Sequence, residues 1–106
     1  MQPFITFRDL DKNGKLQYYI MQRDEPHFVG IISAERDVDA LVESAIPGYN
    51  LYIVFNGVLK GNYIPLRKDI KSEAQSVFDN MASWYWTERI QADPKRYKKL
   101  KISNNV

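Results

Sequence analysis

The stretch from residue 67 to residue 91, RKDIKSEAQSVFDNMASWYWTERIQ, decides how the rest of the chain is read. Its apolar residues Ile70, Ala74, Val77, Phe78, Met81, Trp84 and Tyr85 recur at helical spacing and so line one side of a helix. The pattern predicts an amphipathic helix over 67–91 whose sticky face needs a sheet to rest on. Ser72-Glu73-Ala74-Gln75 also matches a capping box, which offers a second start at Ser72.

Working upstream, Leu51-Tyr52-Ile53-Val54-Phe55 is the most concentrated apolar run in the chain. It is too short for a helix and rich in β-branched and aromatic residues, which predicts an interior strand covered on both faces. Asn56-Gly57 and Gly61-Asn62 follow it, and either suits the tip of a hairpin leading to a strand that ends near Tyr63-Ile64. Before it, Ser33 reads as an N-cap and Glu35 and Asp37 suit the positive end of a helix dipole. Val38, Leu41, Val42, Ala45 and Ile46 then follow helical spacing up to the stop signal Pro47-Gly48, which predicts a first helix over 34–45.

Residues 3–10 and 15–23 carry β-formers and flank Asp11-Lys12-Asn13-Gly14. Asn-Gly suits a type I′ turn because both residues tolerate positive φ, so the two runs read as a hairpin. Asp24-Glu25-Pro26 interrupts the pattern, and residues 27–32 form a third strand. Downstream of the long helix, Asp93-Pro94 both stops it and starts a short helix over 94–100, with Tyr97 and Leu100 folded back on the body. The order is β-β-β-α-β-β-α with a short helical tail. This is an α+β domain spanning 1–106, an antiparallel sheet of four to five strands packed on one face by the long C-terminal helix and the shorter helix at 34–45.

A length of 106 residues allows one hydrophobic core. Two tryptophans, seven tyrosines and five phenylalanines are more large rings than so small a core needs, so some of them reach the surface. The absence of cysteine removes disulfides, thiolate metal sites and thiol nucleophiles together. Met1-Gln2-Pro3-Phe4-Ile5 has no secretory pattern and no apolar run approaches membrane-spanning length, which leads to the expectation of a soluble cytoplasmic protein without membrane contact. Net charge is +2, and Lys95, Arg96, Lys98, Lys99 and Lys101 contribute five positives, so the remainder sums to −3. A basic C-terminal tail at 94–106 follows a mildly acidic body.

Asp9-Leu10-Asp11-Lys12-Asn13-Gly14 copies the first half of a calcium-binding EF-hand loop. Its twelfth position is Ile20 instead of a bidentate glutamate, and its flanks read as strand, so a hairpin turn is the better account. His27 is the single histidine and has no second ligand or nucleophile beside it in sequence. Glu35, Asp37 and Asp39 are explained by dipole compensation. The five glycines form no phosphate loop, nucleophile elbow or dinucleotide fingerprint. No catalytic constellation, metal site or cofactor is expected.

The aromatic residues carry more information. Tyr18 and Tyr19 are adjacent in a strand and point to opposite faces, as do Tyr52 and Ile53, so helices on one face leave apolar surface on the other. Trp84-Tyr85-Trp86 spans about 200° of helix surface, so at least one tryptophan points outward unless the tail covers it. These features predict a non-enzymatic interaction module, such as an adaptor, inhibitor or accessory factor. It binds another protein or a second copy of itself through Tyr18, Tyr52, Trp84 and Trp86. The alternative is a nucleic-acid-binding accessory protein that uses Lys95, Arg96, Lys98, Lys99 and Lys101, helped by Arg67, Lys68 and Lys71. Lys15, Arg23 and Lys60 are the main cations expected on the strands, too few for an open sheet to hold a single strand.

Overall fold

All strands precede the first helix. In the computed structural model, which describes residues 2–25, 27–55, 58–59, 62–63 and 68–102, five strands form one antiparallel sheet. They are β1 (Phe4–Leu10), β2 (Leu16–Gln22), β3 (Val29–Ser33), β4 (Val42–Ala45) and β5 (Tyr52–Phe55), in the spatial order β1-β2-β3-β5-β4. Two-residue strands β6 (Val58–Leu59) and β7 (Asn62–Tyr63) pair separately. Helix α1 (Lys68–Tyr85) runs on into a π-helical turn (Trp86–Ile90), and a 3₁₀ helix (Pro94–Leu100) follows. The fold is the expected α+β class, a five-stranded antiparallel sheet packed by a long C-terminal helix and a shorter one. None of the described helices is long and apolar enough to cross a membrane.

The shorter helix, however, is Pro94–Leu100, and the first helix expected over 34–45 is absent: residues 34–41 are turns and Val42–Ala45 is strand β4. The order is therefore corrected from β-β-β-α-β-β-α to seven strands followed by helices. Local side-chain bonds hold this segment out of the helix. Ser33 Oγ accepts the Glu35 amide at 3.1 Å, and Asp37 Oδ1 accepts the Asp39 amide at 2.9 Å; such turns compete with helical bonding. Val38, needed for the apolar stripe, is 96% exposed. Val42, Ser44 and Ile46 are buried between half-buried Glu43 and exposed Ala45, a period of two that the helical pattern disguised. Pro47-Gly48 turns a hairpin instead of stopping a helix, with Gly48 at φ +83° and the Tyr49 amide donating to the Ile46 carbonyl at 3.1 Å.

The first hairpin forms where expected, with Phe4 opposite Gln22 and Leu10 opposite Leu16. Its turn is not type I′: only Gly14, at φ +79°, has a positive φ, and no non-glycine residue among those described does. The Gly14 amide donates to the Asp11 carbonyl at 3.0 Å and the Asp11 amide to the Lys15 carbonyl at 2.8 Å, the pattern of a type I turn followed by a glycine bulge. Asp11 Oδ1 accepts the Asn13 and Lys15 amides at 2.8 and 2.9 Å, which fixes the longer turn. Strands β6 and β7 pair Val58 with Tyr63 and Leu59 with Asn62. The expected turn tips at residues 56, 57 and 61, and residues 64–67, lie outside the described residues.

The register puts Phe4, Thr6, Arg8, Tyr18, Ile20, Gly30, Ile32, Ile53, Phe55, Val42 and Ser44 on one face of the sheet. Helix α1 lies on that face, against β4, β5 and β2. Its Ala74, Phe78, Met81, Ala82 and Tyr85 are buried, and the rings of Phe28, Phe55 and Phe78 meet edge to face at centroid distances of 5.4 to 6.4 Å. Gly30 lets Phe78 approach the sheet: a Cβ there would stand 2.5 Å from Ile53 Cγ2 and 3.0 Å from Phe78 Cε2. At edge strand β4, Ser44 Oγ donates to Asp79 Oδ1 at 2.9 Å, and Gln75 Nε2 donates to the same oxygen at 2.9 Å. These bonds pin the helix laterally while the rings supply the burial.

The expected helix at 67–91 is found from Lys68 onward, and the start at Ser72 is not used. At Trp86 the hydrogen bonding widens, with the Gln91 amide donating to the Trp86 carbonyl at 3.0 Å. One extra residue in this turn brings Ile90 onto the buried side, where it is 1% exposed. An unbroken α-helix would have presented residue 89 there, and the seven-residue stripe read from sequence omits Ile90 for that reason.

Candidate functional site

The sheet's second face is built from the alternate residues of the same strands. Ile5, Met21 and Val29 form one cross-strand row, and Phe7, Tyr19, Ile31 and Val54 form another. No helix among the described residues lies over this face. Val54 is buried, whereas Ile5, Tyr19, Met21, Val29 and Ile31 are half-buried and Phe7 is 37% exposed. Phe7 and Tyr19 stack at 5.0 Å with an interplanar angle of 13°, and Tyr19 Oη donates to Gln17 Oε1 at 2.9 Å. Charge is confined to the margins. Glu43 continues the second row but is held by Arg36, whose Nε stands 3.3 Å from Glu43 Oε1 and whose guanidinium lies 5.3 Å from the centre of the Tyr52 ring.

On the helix side, Phe4 and Ile20 of β1 and β2 are buried, Phe4 against Trp84 of α1, while Arg8 and Tyr18 stay exposed, and the C-terminal segment packs nearby. The 3₁₀ helix has three residues per turn, so Tyr97 and Leu100 share a side and pack inward. The Asn50 amide donates to the Leu100 carbonyl at 2.6 Å and the Ile102 amide to the Gly48 carbonyl at 2.9 Å, which tie the segment to the β4–β5 hairpin. Tyr97 meets Tyr85: their rings are edge to face at 5.9 Å and their hydroxyls are 3.0 Å apart. Burial, with help from that hydrogen bond, raises the Tyr85 phenol well above its usual range, so it holds its proton at all ordinary pH.

Between this segment and the sheet runs a cleft with two adjoining compartments of about 310 and 320 Å³, sharing walls formed by Tyr18, Ile32, Tyr85, Arg96 and Tyr97. Thr6, Arg8 and Arg89 line one compartment, and Ala34, Leu51 and Leu100 line the other. Arg89 Nη2 donates to Thr6 Oγ1 at 3.0 Å, which joins the π-helical turn to β1. No carboxylate lines either compartment.

The four predicted interface residues occupy separate surfaces. Tyr52 is on the open face, beneath Arg36. Tyr18 is on the helix side and lines the cleft. Trp84 packs edge to face on Phe4 at 5.8 Å, donates Nε1 to Gln2 Oε1 at 2.9 Å and has Arg89 5.7 Å above its ring. Trp86 is 38% exposed, and the aromatic residue that meets the tail is Tyr85. All five basic residues of the tail, Lys95, Arg96, Lys98, Lys99 and Lys101, are exposed, and of them Arg96 borders the cleft, its guanidinium 5.9 Å from the centre of the Tyr97 ring. Lys95 and Lys98 fall in one eclipsed row of the 3₁₀ helix, away from Tyr97. Lys71 is exposed near the far end of α1, roughly 25 Å from the tail by helical rise, and residues 60 and 67 lie outside the described residues.

His27 is exposed, with Nδ1 3.3 Å from the Gln22 carbonyl oxygen. Lys15 and Arg23 are exposed beside turns. Among the described residues no group of three or more histidine and carboxylate side chains converges as metal ligands would. Sequence reasoning missed Arg8 and Arg89. The signal for Arg8 was available: the hairpin register sets it opposite Tyr18, on the same face as buried Phe4. Arg89 depends on the π-helical turn, which no spacing in the sequence announces. Compared with known protein families, with curated proteins and with solved structures, the chain matches none of them.

Proposed function

We propose that this chain is a non-enzymatic interaction module whose open sheet face packs against a second copy of itself. The observation that carries the reading is the one-sided packing of the sheet: two cross-strand rows of apolar side chains, Ile5–Met21–Val29 and Phe7–Tyr19–Ile31–Val54, have no described helix over them. A sheet buries both faces when both are apolar, and a layer that the described helices do not provide is supplied by association. The near-absence of charge from the rows favours a second copy, because a twofold contact sets like against like and apolar rows tolerate that. Another protein with an equally apolar face is the version that survives if the chain is a strict monomer. Light scattering over a range of concentrations tests this. Wild type is expected to move from monomer to dimer mass, and Phe7→Glu to stay monomeric with unchanged circular dichroism. Equal masses for both proteins at every concentration would end the self-association reading.

A second reading, contact with nucleic acid, is favoured by the eclipsed lysine row. Lys95 and Lys98, with Lys99 and Lys101 nearby, give a strip of cations free of carboxylates within residues 94–102. A gel shift comparing wild type with a Lys95→Gln, Lys98→Gln, Lys99→Gln variant at low and moderate salt decides it. Binding by neither protein removes the reading.

A further inference from the structure

The cleft beside the 3₁₀ helix has a polarity that the open sheet face lacks. At one end stand Arg8 and Arg89, with Arg96 on the shared wall; at the other stand Leu51 and Leu100. The three arginines come from β1, the π-helical turn and the 3₁₀ helix, and the fold gathers them into one carboxylate-free concavity. None of the three is in an ion pair among the described residues, where the single salt bridge is Arg36–Glu43. Guanidinium groups stay charged at any pH a protein meets, so such a gathering invites an anion with oxygens to receive planar donors.

A second, independent feature faces the same space. The Tyr85 and Tyr97 hydroxyls share one hydrogen bond, which uses one of their two protons. Both side chains are more than nine-tenths buried and both line the cleft. Whichever hydroxyl accepts in the mutual bond keeps its own proton for a further acceptor. Among the described residues no other hydrogen bond to either hydroxyl is formed. The pair is thus a neutral donor set into the wall beside Arg96.

We propose that this cleft binds a small organic anion, with its acidic head among Arg8, Arg89 and Arg96 and its apolar body between Ile32, Leu51 and Leu100. Each compartment, at about 310 to 320 Å³, is at the lower end of the range for ligand sites, and the two together suit a molecule the size of a two-ring aromatic acid. Tyr18, 43% exposed, offers a ring face to such a body. The proposal does not depend on the open face being an interface: of the open-face rows only Phe7 and Tyr19 also border the cleft, and neither is asked to hold the ligand.

The test is a titration of the full chain followed by amide chemical shifts, using 1-naphthyl phosphate, 1-naphthoate, inorganic phosphate and 1-naphthol. At least one naphthyl acid is expected to bind about tenfold more tightly than phosphate or naphthol alone, since head and body are then held together. The preferred head, phosphate or carboxylate, identifies the class of acid. Arg8→Gln and Arg96→Gln are each expected to weaken that binding about tenfold, as loss of a charge-assisted hydrogen bond does. Tyr97→Phe, which keeps the ring, should weaken it several-fold. Lys95→Gln and Lys98→Gln remove the same charge on the outer row and should change it by less than about twofold. Absence of shifts at millimolar naphthyl acid would overturn the proposal. So would equal losses in the lysine and arginine variants, or tighter binding of a ten-residue oligothymidylate that the lysine variants abolish, since that assigns the charge to a nucleic-acid track. Circular dichroism on each variant separates lost binding from lost fold.

Discussion

The two faces of the sheet are made by the same strands and differ in what they meet. On the helix side Ile53, Phe55, Ile20 and Val42 are sealed beneath Phe78 and Met81; on the other side Ile31, Tyr19 and Val29 are half-buried and Phe7 is exposed, with no described helix over them. Neighbouring residues of one strand therefore carry different duties. Burial against α1 supplies folding free energy, whereas half-burial across strands gives a fraction of it and leaves the remainder for a contact formed outside the chain. The difference teaches that apolar content alone does not mark the core of this protein. What marks it is register relative to the helix.

The sharpest way to break the comparison is to remove the ring that seals the covered face. Phe78→Ala should cost about 3–5 kcal/mol, as large-to-small changes at fully buried aromatics do, and urea unfolding reads it. A loss below about 1 kcal/mol would mean that α1 does not hold the sheet. A matched pair then compares the faces with chemistry held constant. Ile53→Ala, at a site with no exposure, should cost about 2–4 kcal/mol, while Ile31→Ala, half-buried on the open face, should cost about 1 kcal/mol at concentrations where the chain is monomeric. Equal costs would erase the distinction. Gly30→Ala tests how closely the helix sits: the added methyl meets Ile53 and Phe78, and overpacking of that kind costs about 1–3 kcal/mol.

Two smaller effects probe the margin where α1 meets the tail. Burial raises the Tyr85 phenol above its usual value of 10.0, so the folded chain keeps a proton that the unfolded chain releases. That stabilisation is complete below pH 10 and is lost as pH climbs beyond it. Urea midpoints measured from pH 8 to 11 should fall at the alkaline end, and Tyr85→Phe should flatten the fall; an unchanged slope in that variant would assign it to other groups. Trp86→Ala removes a ring that is 38% exposed and should cost less than about 1 kcal/mol. A larger loss would make Trp86 part of the core.

Much of this division was legible in sequence, and the illegible parts have physical causes. The stripe at Ala74, Val77, Phe78 and Met81 announced α1, and Tyr18-Tyr19 announced a second apolar face, because both signals depend only on the period of a regular element. Val38, Leu41, Val42, Ala45 and Ile46 misled because short apolar sets fit periods of two and of 3.6 about equally well. Only the Ser33 and Asp37 turns, together with the open position of Val38, decide between them. The Asn-Gly hairpin was legible as a hairpin but not as a glycine-bulge turn, since Asp11's hold on two amides is a matter of side-chain geometry. The four candidate interface residues were each chosen as large rings in excess of the core. Their dispersal over the open face, the cleft and the helix surface depends on a register and a π-helical turn that local sequence does not encode. Of the basic tail, the charge was legible but not that Arg96, itself exposed, borders the cleft while Lys95 and Lys98 share a row away from Tyr97.

The most direct measurement of the central claim is a dilution series of amide chemical shifts on the wild-type chain, from millimolar to micromolar. If the open face is the surface that associates, the amides of Ile5, Phe7, Tyr19, Ile31 and Val54 move with concentration while those of Ser76 and Asn80, on the exposed side of α1, stay fixed. Shifts confined to residues 84–86 or to the tail, with the open-face amides unmoved at every concentration, would contradict it.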